Sequence, residues 1–123
     1  MKTSRGHVGV HAFVLCGLLL HLKTAFLESS DPWSGFTIGL LLWSLLPYLV
    51  LELAGRKSSW GALCAAFVVF FADLYVHLGV FVWPGSSTAP LGLVAMPLWN
   101  LALFIPVSFL AGYLIEKRFR RKD

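Results

Sequence analysis

Asp73 and His77 are the residues of this chain whose types and spacing most clearly suggest chemistry. They stand four positions apart in the apolar segment FVVFFADLYVHLGVF, and residues four apart share one face of a helix. An ionisable residue inside a membrane span is costly and usually faces the protein interior or a watery cavity. A carboxyl group beside an imidazole can relay a proton, orient the ring or share a cation. The alternative is a polar pair that only fixes the packing of helices.

The composition of the chain indicates that these residues lie in a membrane. Of the 123 residues, 58% are hydrophobic and 13% are charged, whereas soluble domains average about 45–50% and about 25%. A chain this short cannot hide so much apolar surface from water, which excludes a soluble multidomain enzyme. Neither of the two cysteines has a Cys or His nearby at metal-ligand spacing, so we predict no disulfide framework and no zinc site.

Four apolar runs are long enough to cross about 30 Å of hydrocarbon as helices. They cover residues 8–27, 33–54, 60–83 and 89–115, and a basic tail follows at 116–123. Backbone groups in lipid must be paired within the chain, so the sequence predicts an all-α, integral membrane four-helix bundle that forms a single domain. The connections are short, which predicts antiparallel neighbouring helices.

Lysine and arginine predict the orientation of this bundle. Nine of the ten basic residues lie before the first span, between the second and third, or after the fourth, and only Lys23 lies at the other end. Because cytoplasmic segments are enriched in Lys and Arg, both termini are expected in the cytoplasm. This distribution accounts for the net positive charge without a nucleic-acid partner.

Depth along the predicted helices brings other polar residues level with the first pair, at about 1.5 Å per residue. Asn100 reaches the depth of Asp73, which predicts an interhelical hydrogen bond, and His21 reaches nearly the depth of His77. Two histidines at one depth could be axial ligands of a haem, or could bind a metal ion together with Asp73. No CxxCH motif accompanies them, and we expect no cofactor and no metal.

A second polar group is expected at the cytoplasmic edge. His11 and Glu52 come to similar levels there, with Arg56 one turn beyond Glu52. Charged side chains at a membrane interface pair readily but gain little energy from doing so. We predict an interfacial ion pair without a functional role.

Helix-breaking and small residues predict how the spans pack. Pro47, Pro97 and Pro106 lie within predicted spans, and each removes a backbone hydrogen bond and tends to kink its helix. Small residues permit close approach of helices in a membrane. They cluster in the third and fourth spans at Gly61, Ala62, Ala65, Ala66, Ala111 and Gly112.

The connection to the fourth span has the composition of a helix start. Ser86, Ser87 and Thr88 precede Ala89 and Pro90, the pattern of an N-cap followed by proline in the first turn. Free amides at a helix start also attract anions, so an anion or headgroup site is the alternative.

The same stretch, PGSSTAPLG continuing into MPLWN, resembles a segment of small four-span bacterial inner-membrane proteins without an assigned function. The resemblance covers residues 82–100 and the following span. It implies a multi-pass protein of the cell inner (plasma) membrane, and it implies no activity, ligand or catalytic residue.

Three classes of function remain. The first is a non-enzymatic accessory or structural subunit that acts through its helix faces, with the lipid bilayer and another membrane protein or a second copy as partners. The second is a small homo-oligomeric transporter or channel that uses Asp73 and His77. The third is a haem- or metal-binding redox subunit that uses His21 and His77. Catalysis is not expected, because no nucleophile or further acid–base group accompanies Asp73 and His77.

Overall fold

The computed structural model describes residues 2–122, with side chains described from Arg5 onward. The helices are α1 (Lys2–Lys23), α2 (Gly35–Gly55), α3 (Ser59–Phe81), α4 (Leu91–Trp99) and α5 (Ile105–Arg120). A π-helical turn at Thr24–Glu28 extends α1, and a second at Asn100–Phe104 joins α4 to α5. No strand occurs among the described residues, so the all-α prediction is confirmed there.

Four helical segments are long and apolar enough to cross a membrane, as the hydropathy pattern predicted. They are Arg5–Glu28, Gly35–Gly55, Ser59–Phe81 and Leu91–Arg120. The ends of these helical segments differ by a few residues from the ends of the predicted spans. Trp33 and Trp83, which were predicted within spans, lie in the connecting turns. Hydropathy therefore located the apolar segments, while local hydrogen bonding sets where α2, α3 and α4 begin.

Serine caps set the first residues of α2 and α3. The Ser34 hydroxyl accepts a hydrogen bond from the Thr37 amide at 3.1 Å. The Ser58 hydroxyl accepts one from the Gly61 amide at 2.9 Å. Each bond satisfies one of the amides that a helix start leaves without a partner.

The prediction that Ser86, Ser87 or Thr88 caps the fourth span is wrong. The helix begins at Leu91 with Pro90 in the capping position, and no side chain caps it. Its first three amides instead donate to backbone carbonyls three residues back, at 3.0–3.1 Å. Because these amides are already satisfied, the helix start offers no set of free amides to an anion.

Helix α3 is the centre of the bundle and contacts α1, α2, α4 and α5. Its crossing with α5 is close because both helices carry glycine there. A Cβ added at Gly112 would lie 2.7 Å from the Trp60 carbonyl oxygen and 2.9 Å from Gly61 Cα. One added at Gly61 would lie 2.9 Å from the Phe109 ring. Small residues thus allow the backbones to meet, as expected for helices that associate by van der Waals packing.

The helical segment that runs from α4 to α5 changes from α-helix to π-helix between two prolines. Pro97 lies within α4 and Pro106 near the start of α5. Between them the Ile105 amide donates to the Asn100 carbonyl five residues back, which is the π-helical pattern. Proline has no amide hydrogen to continue the ordinary ladder, and the wider turn accommodates one extra residue.

Candidate functional site

Asp73 receives hydrogen bonds from three side chains, each from a different span. His21 Nε2 lies 3.0 Å from Asp73 Oδ2, and the Tyr48 hydroxyl donates to the same oxygen at 2.7 Å. The Asn100 Nδ2 group donates to Oδ1 at 2.8 Å. Asp73 is only 5% exposed. We call these four residues the Asp73 network. They connect all four spans through one carboxyl group.

Gly17 makes room for Tyr48 to reach Asp73. A Cβ at Gly17 would lie 2.2 Å from one Tyr48 ring carbon and 2.7 Å from the hydroxyl oxygen. The Tyr48 ring also packs edge-on against the His21 ring, with centroids 5.7 Å apart. Tyr48 was not predicted to belong to this site, because carboxyl, imidazole and amide side chains were the polar groups expected inside the spans. A tyrosine in the middle of an apolar span was the available signal, since a buried phenol needs a hydrogen-bond partner.

His77 lies on the same face of α3 as Asp73, but its hydrogen bonds go elsewhere. Its Nε2 lies 3.2 Å from Lys23 Nζ, and its Nδ1 lies 3.1 Å from Thr24 Oγ1. A lysine ammonium can only donate, so Nε2 accepts and the ring hydrogen sits on Nδ1, which donates to Thr24. Lys23 also donates to Glu28 at 2.6 Å. Among the described residues, the imidazole that is hydrogen-bonded to Asp73 is that of His21, and Asp73 and His77 share no hydrogen bond.

Asn100 carries an unsatisfied group beside Asp73. The residue is completely buried, and its Oδ1 atom has no hydrogen-bond partner among the described residues. The assignment of nitrogen and oxygen is fixed by the carboxylate, which can only accept when it is ionised. Asp73 therefore lies beside a buried acceptor, the Oδ1 atom of Asn100, that is free to accept a hydrogen bond.

A cavity of about 360 Å³ reaches the Asp73 network at His21. Its polar lining includes His21 and Ser44 together with Glu28, Asp31 and hydroxyl groups of the connection after α1. The apolar lining consists of Ala25, Phe36, Leu40, Leu41, Phe81 and Leu93. The His21 side chain is 12% exposed and that of Asp73 is 3% exposed. A molecule in the cavity would thus meet the network through His21.

The two histidines considered as haem ligands do not present free nitrogens to each other. Both ring nitrogens of His77 are hydrogen-bonded, and Nε2 of His21 is bonded to Asp73. Within the described part of the chain, no three His, Cys, Asp or Glu side chains are placed to hold a metal ion. Ligation of one iron by Nε2 of both rings would require His21 to leave Asp73 and His77 to leave Lys23.

At the opposite end of α1, His11 Nδ1 lies 2.8 Å from Glu52 Oε1. Both side chains are partly exposed, and Arg56 makes no ion pair with any residue whose side chain is described. Glu116 instead joins two elements there, because it accepts from Arg120 at 2.6 Å and from the Ser58 hydroxyl. Exposed pairs of this kind contribute about 0–1 kcal/mol, so we assign them a structural role at this end of the bundle.

No family of known proteins, no curated protein sequence and no solved structure matches the chain. The features of the chain that bear on function are therefore the contacts of the Asp73 network and the cavity beside it.

Proposed function

We propose that the chain is a multi-pass protein of the plasma membrane, with antiparallel neighbouring helices and both termini in the cytoplasm. The order of contacts supports the topology, since His11 meets Glu52 while Gly17, farther along α1, meets Tyr48. The helix exteriors support embedding, because large apolar side chains are exposed along every span, among them Leu19, Leu42, Tyr75 and Leu98. The distribution of basic residues supports the orientation.

Thiol labelling of intact cells tests this topology. In a variant with Cys16 and Cys64 replaced by serine, a membrane-impermeant reagent should label Ser30→Cys and Ser86→Cys but not Lys122→Cys. The reverse pattern would overturn the orientation. Labelling of all three sites would argue against a spanning protein.

We further propose that the chain is a small proton-coupled transporter in which Asp73 carries the proton and His21 connects it to the outer side. The observation that carries this proposal is that the cavity reaches His21, which is bonded to Asp73. A buried carboxyl group that can reach water through a single imidazole is the arrangement needed for proton exchange from one side. In this proposal the histidine that exchanges protons with Asp73 is His21, in place of His77.

The proton transfer follows from the two nitrogens of the His21 ring. A proton from the cavity binds Nδ1, and the proton on Nε2 passes to Oδ2 of Asp73. The imidazole ends neutral, and the carboxylate becomes a neutral acid. Oδ2 then donates to Nε2 of His21, and the Tyr48 hydroxyl, which donates to the same oxygen, meets a weaker acceptor. The network therefore changes its hydrogen bonds with the charge of Asp73.

Beyond Asp73 the interior is apolar, which blocks a continuous polar path through one chain. The buried cluster there includes Leu51, Ala65, Val69 and Ile105. Release of the proton to the cytoplasmic side thus needs a second conformation of the bundle. Because four helices rarely enclose a pathway alone, we propose that the working unit is a homo-oligomer.

A non-enzymatic accessory subunit that acts through its helix faces is the second candidate. It is favoured by the fact that the three donors to Asp73 all come from the chain itself. In that case the network only fixes how the four spans pack, and the exposed apolar faces meet a different membrane protein.

Proton flux into vesicles distinguishes the two candidates. The purified protein is reconstituted with a pH-sensitive dye inside, and a potassium diffusion potential drives protons inward. We expect flux with the unaltered protein and none with Asp73→Asn, while Glu52→Gln serves as a matched carboxyl control and keeps the flux. Equal flux in the Asp73→Asn variant, or none in any sample, would overturn the transporter proposal. Copurification of a different membrane protein in fixed stoichiometry would favour the accessory subunit.

A further inference from the structure

The cavity beside the Asp73 network is lined by the hydroxyl of Ser44. Ser44 is 5% exposed and lines the cavity. No described residue forms a hydrogen bond with its side chain. A buried polar group normally has a partner, so this hydroxyl is available to a molecule that occupies the cavity.

The charge of the cavity lining favours a cation. Two carboxylates, Glu28 and Asp31, lie in the lining, and His21 is the only basic side chain there. Glu28 is paired with Lys23 at 2.6 Å. Asp31 has no ion-pair partner among the described side chains, and its Oδ1 accepts only from the Trp33 amide, at 3.3 Å. No described side chain therefore neutralises this negative charge of the lining.

The remaining lining favours an apolar body on that cation. Phe36, Phe81 and Leu93 belong to three different helices and line the same cavity. Aromatic faces attract cations that carry little hydration, and apolar walls bind the carbon part of a ligand. A strongly hydrated inorganic ion would gain nothing from these walls. The volume of about 360 Å³ falls in the range of small-molecule sites, about 300–1,000 Å³.

We propose that this cavity binds a small organic cation with an apolar body, whose charge is met by Asp31 and whose polar end reaches Ser44 and His21. The inference rests on the proposed function, because the same His21 would then contact both the cation and Asp73. The ligand's polar end would occupy Nδ1 of His21, the ring nitrogen that a proton from the cavity has to reach, because Nε2 is bonded to Asp73. Binding of the ligand and protonation of the network would therefore oppose each other.

Calorimetric titration of the full-length protein in uncharged detergent tests the site, with benzyltrimethylammonium as the probe. We expect saturable binding by the unaltered protein and at least about tenfold weaker binding by Asp31→Asn, since a charge-assisted contact is lost. Asparagine retains the oxygen that accepts from the Trp33 amide, so this variant keeps the local turn. Ser44→Phe should abolish binding by filling the cavity. Glu52→Gln, at the opposite end of the bundle, should bind as the unaltered protein does.

Several results would overturn the inference. The first is no saturable binding of benzyltrimethylammonium by a protein with native helix content. The second is equal binding of that cation by Asp31→Asn. The third is equally tight binding of benzyl tert-butyl ether, an uncharged molecule of similar size. Failure of this inference is separable from failure of the transporter proposal. Loss of cation binding with proton flux retained removes only the cation site. Cation binding without proton flux in vesicles removes proton coupling but leaves the site.

Discussion

The side-chain amide of Asn100 donates to Asp73 at 2.8 Å while its own carbonyl oxygen, buried beside it, has no partner. In this orientation the amide complements an ionised carboxylate. When Asp73 takes its proton on Oδ2, Oδ1 remains a carbonyl oxygen that accepts from the same amide. Asn100 can therefore satisfy both charge states of Asp73 without moving the backbone.

Tyr48→Phe should destabilise the protein by about 1–3 kcal/mol, because it removes a hydrogen bond to a buried charged group. In an Asp73→Leu background the same change should cost close to nothing, since the acceptor is already gone. Denaturant titrations of the four proteins in one detergent measure this cycle. Equal costs in both backgrounds would mean that the hydroxyl of Tyr48 stabilises the fold by another contact.

Gly17→Ala should displace Tyr48 and cost about 1–3 kcal/mol, the usual range for an overpacked interior. The added carbon would overlap the tyrosine ring, with the nearest ring atom 2.2 Å away. Gly39→Ala is the matched control, because that glycine is in a helix and has no atom within 4 Å of an added Cβ. The control should be neutral or stabilising by up to about 1 kcal/mol. Thermal unfolding followed by circular dichroism compares the two.

Gly112→Ala should separate α3 from α5 and destabilise more than Gly79→Ala. An added Cβ at Gly112 meets the backbone oxygen of Trp60 at 2.7 Å, whereas one at Gly79 meets nothing within 4 Å. Backbone atoms cannot rotate away as a side chain does, so the helices themselves must shift. A difference of about 1–3 kcal/mol between the two variants is expected. Equal stabilities would show that this crossing tolerates a wider spacing.

Ser58→Ala should cost about 1 kcal/mol or more, because it removes the cap of α3 and the hydrogen bond to Glu116. Ser86→Ala should stay within about 0.5 kcal/mol, since that side chain caps no helix and only meets Thr88. The comparison tests which serines start helices. A larger loss at Ser86 than at Ser58 would contradict the capping described for both helices.

Hydropathy and helical rise were enough to predict the spans and one contact of the site. Asn100 was matched to Asp73 by counting residues from the helix ends, and the two are hydrogen-bonded. Counting in this way needs only the position of each residue along its helix, and the ends of the apolar runs fix that position well.

The choice between His21 and His77 could not be made from depth, because it depends on how each helix is rotated about its axis. Rotation is set by contacts such as Gly17 with Tyr48 and by the π-helical turn after Lys23. Neither the glycine–tyrosine contact nor the π-helical turn can be recognised from a hydrophobic pattern with a period of 3.6 residues. The cavity was also not predictable, because its lining combines a connecting segment with residues from four helices.

The π-helical turn at Asn100–Phe104 sets the rotational phase of everything that follows it. In an unbroken α-helix the twelve residues from Asn100 to Gly112 would put the two about 120° apart around the axis, at about 100° per residue. One extra residue in the turn removes about 100° of that difference. Asn100 and Gly112 thus both face α3, one at the carboxyl group and the other at the glycine crossing. Deleting a single residue from the turn would keep the length and hydropathy of the span, yet it would break the register between the polar and the close-packed halves of the protein.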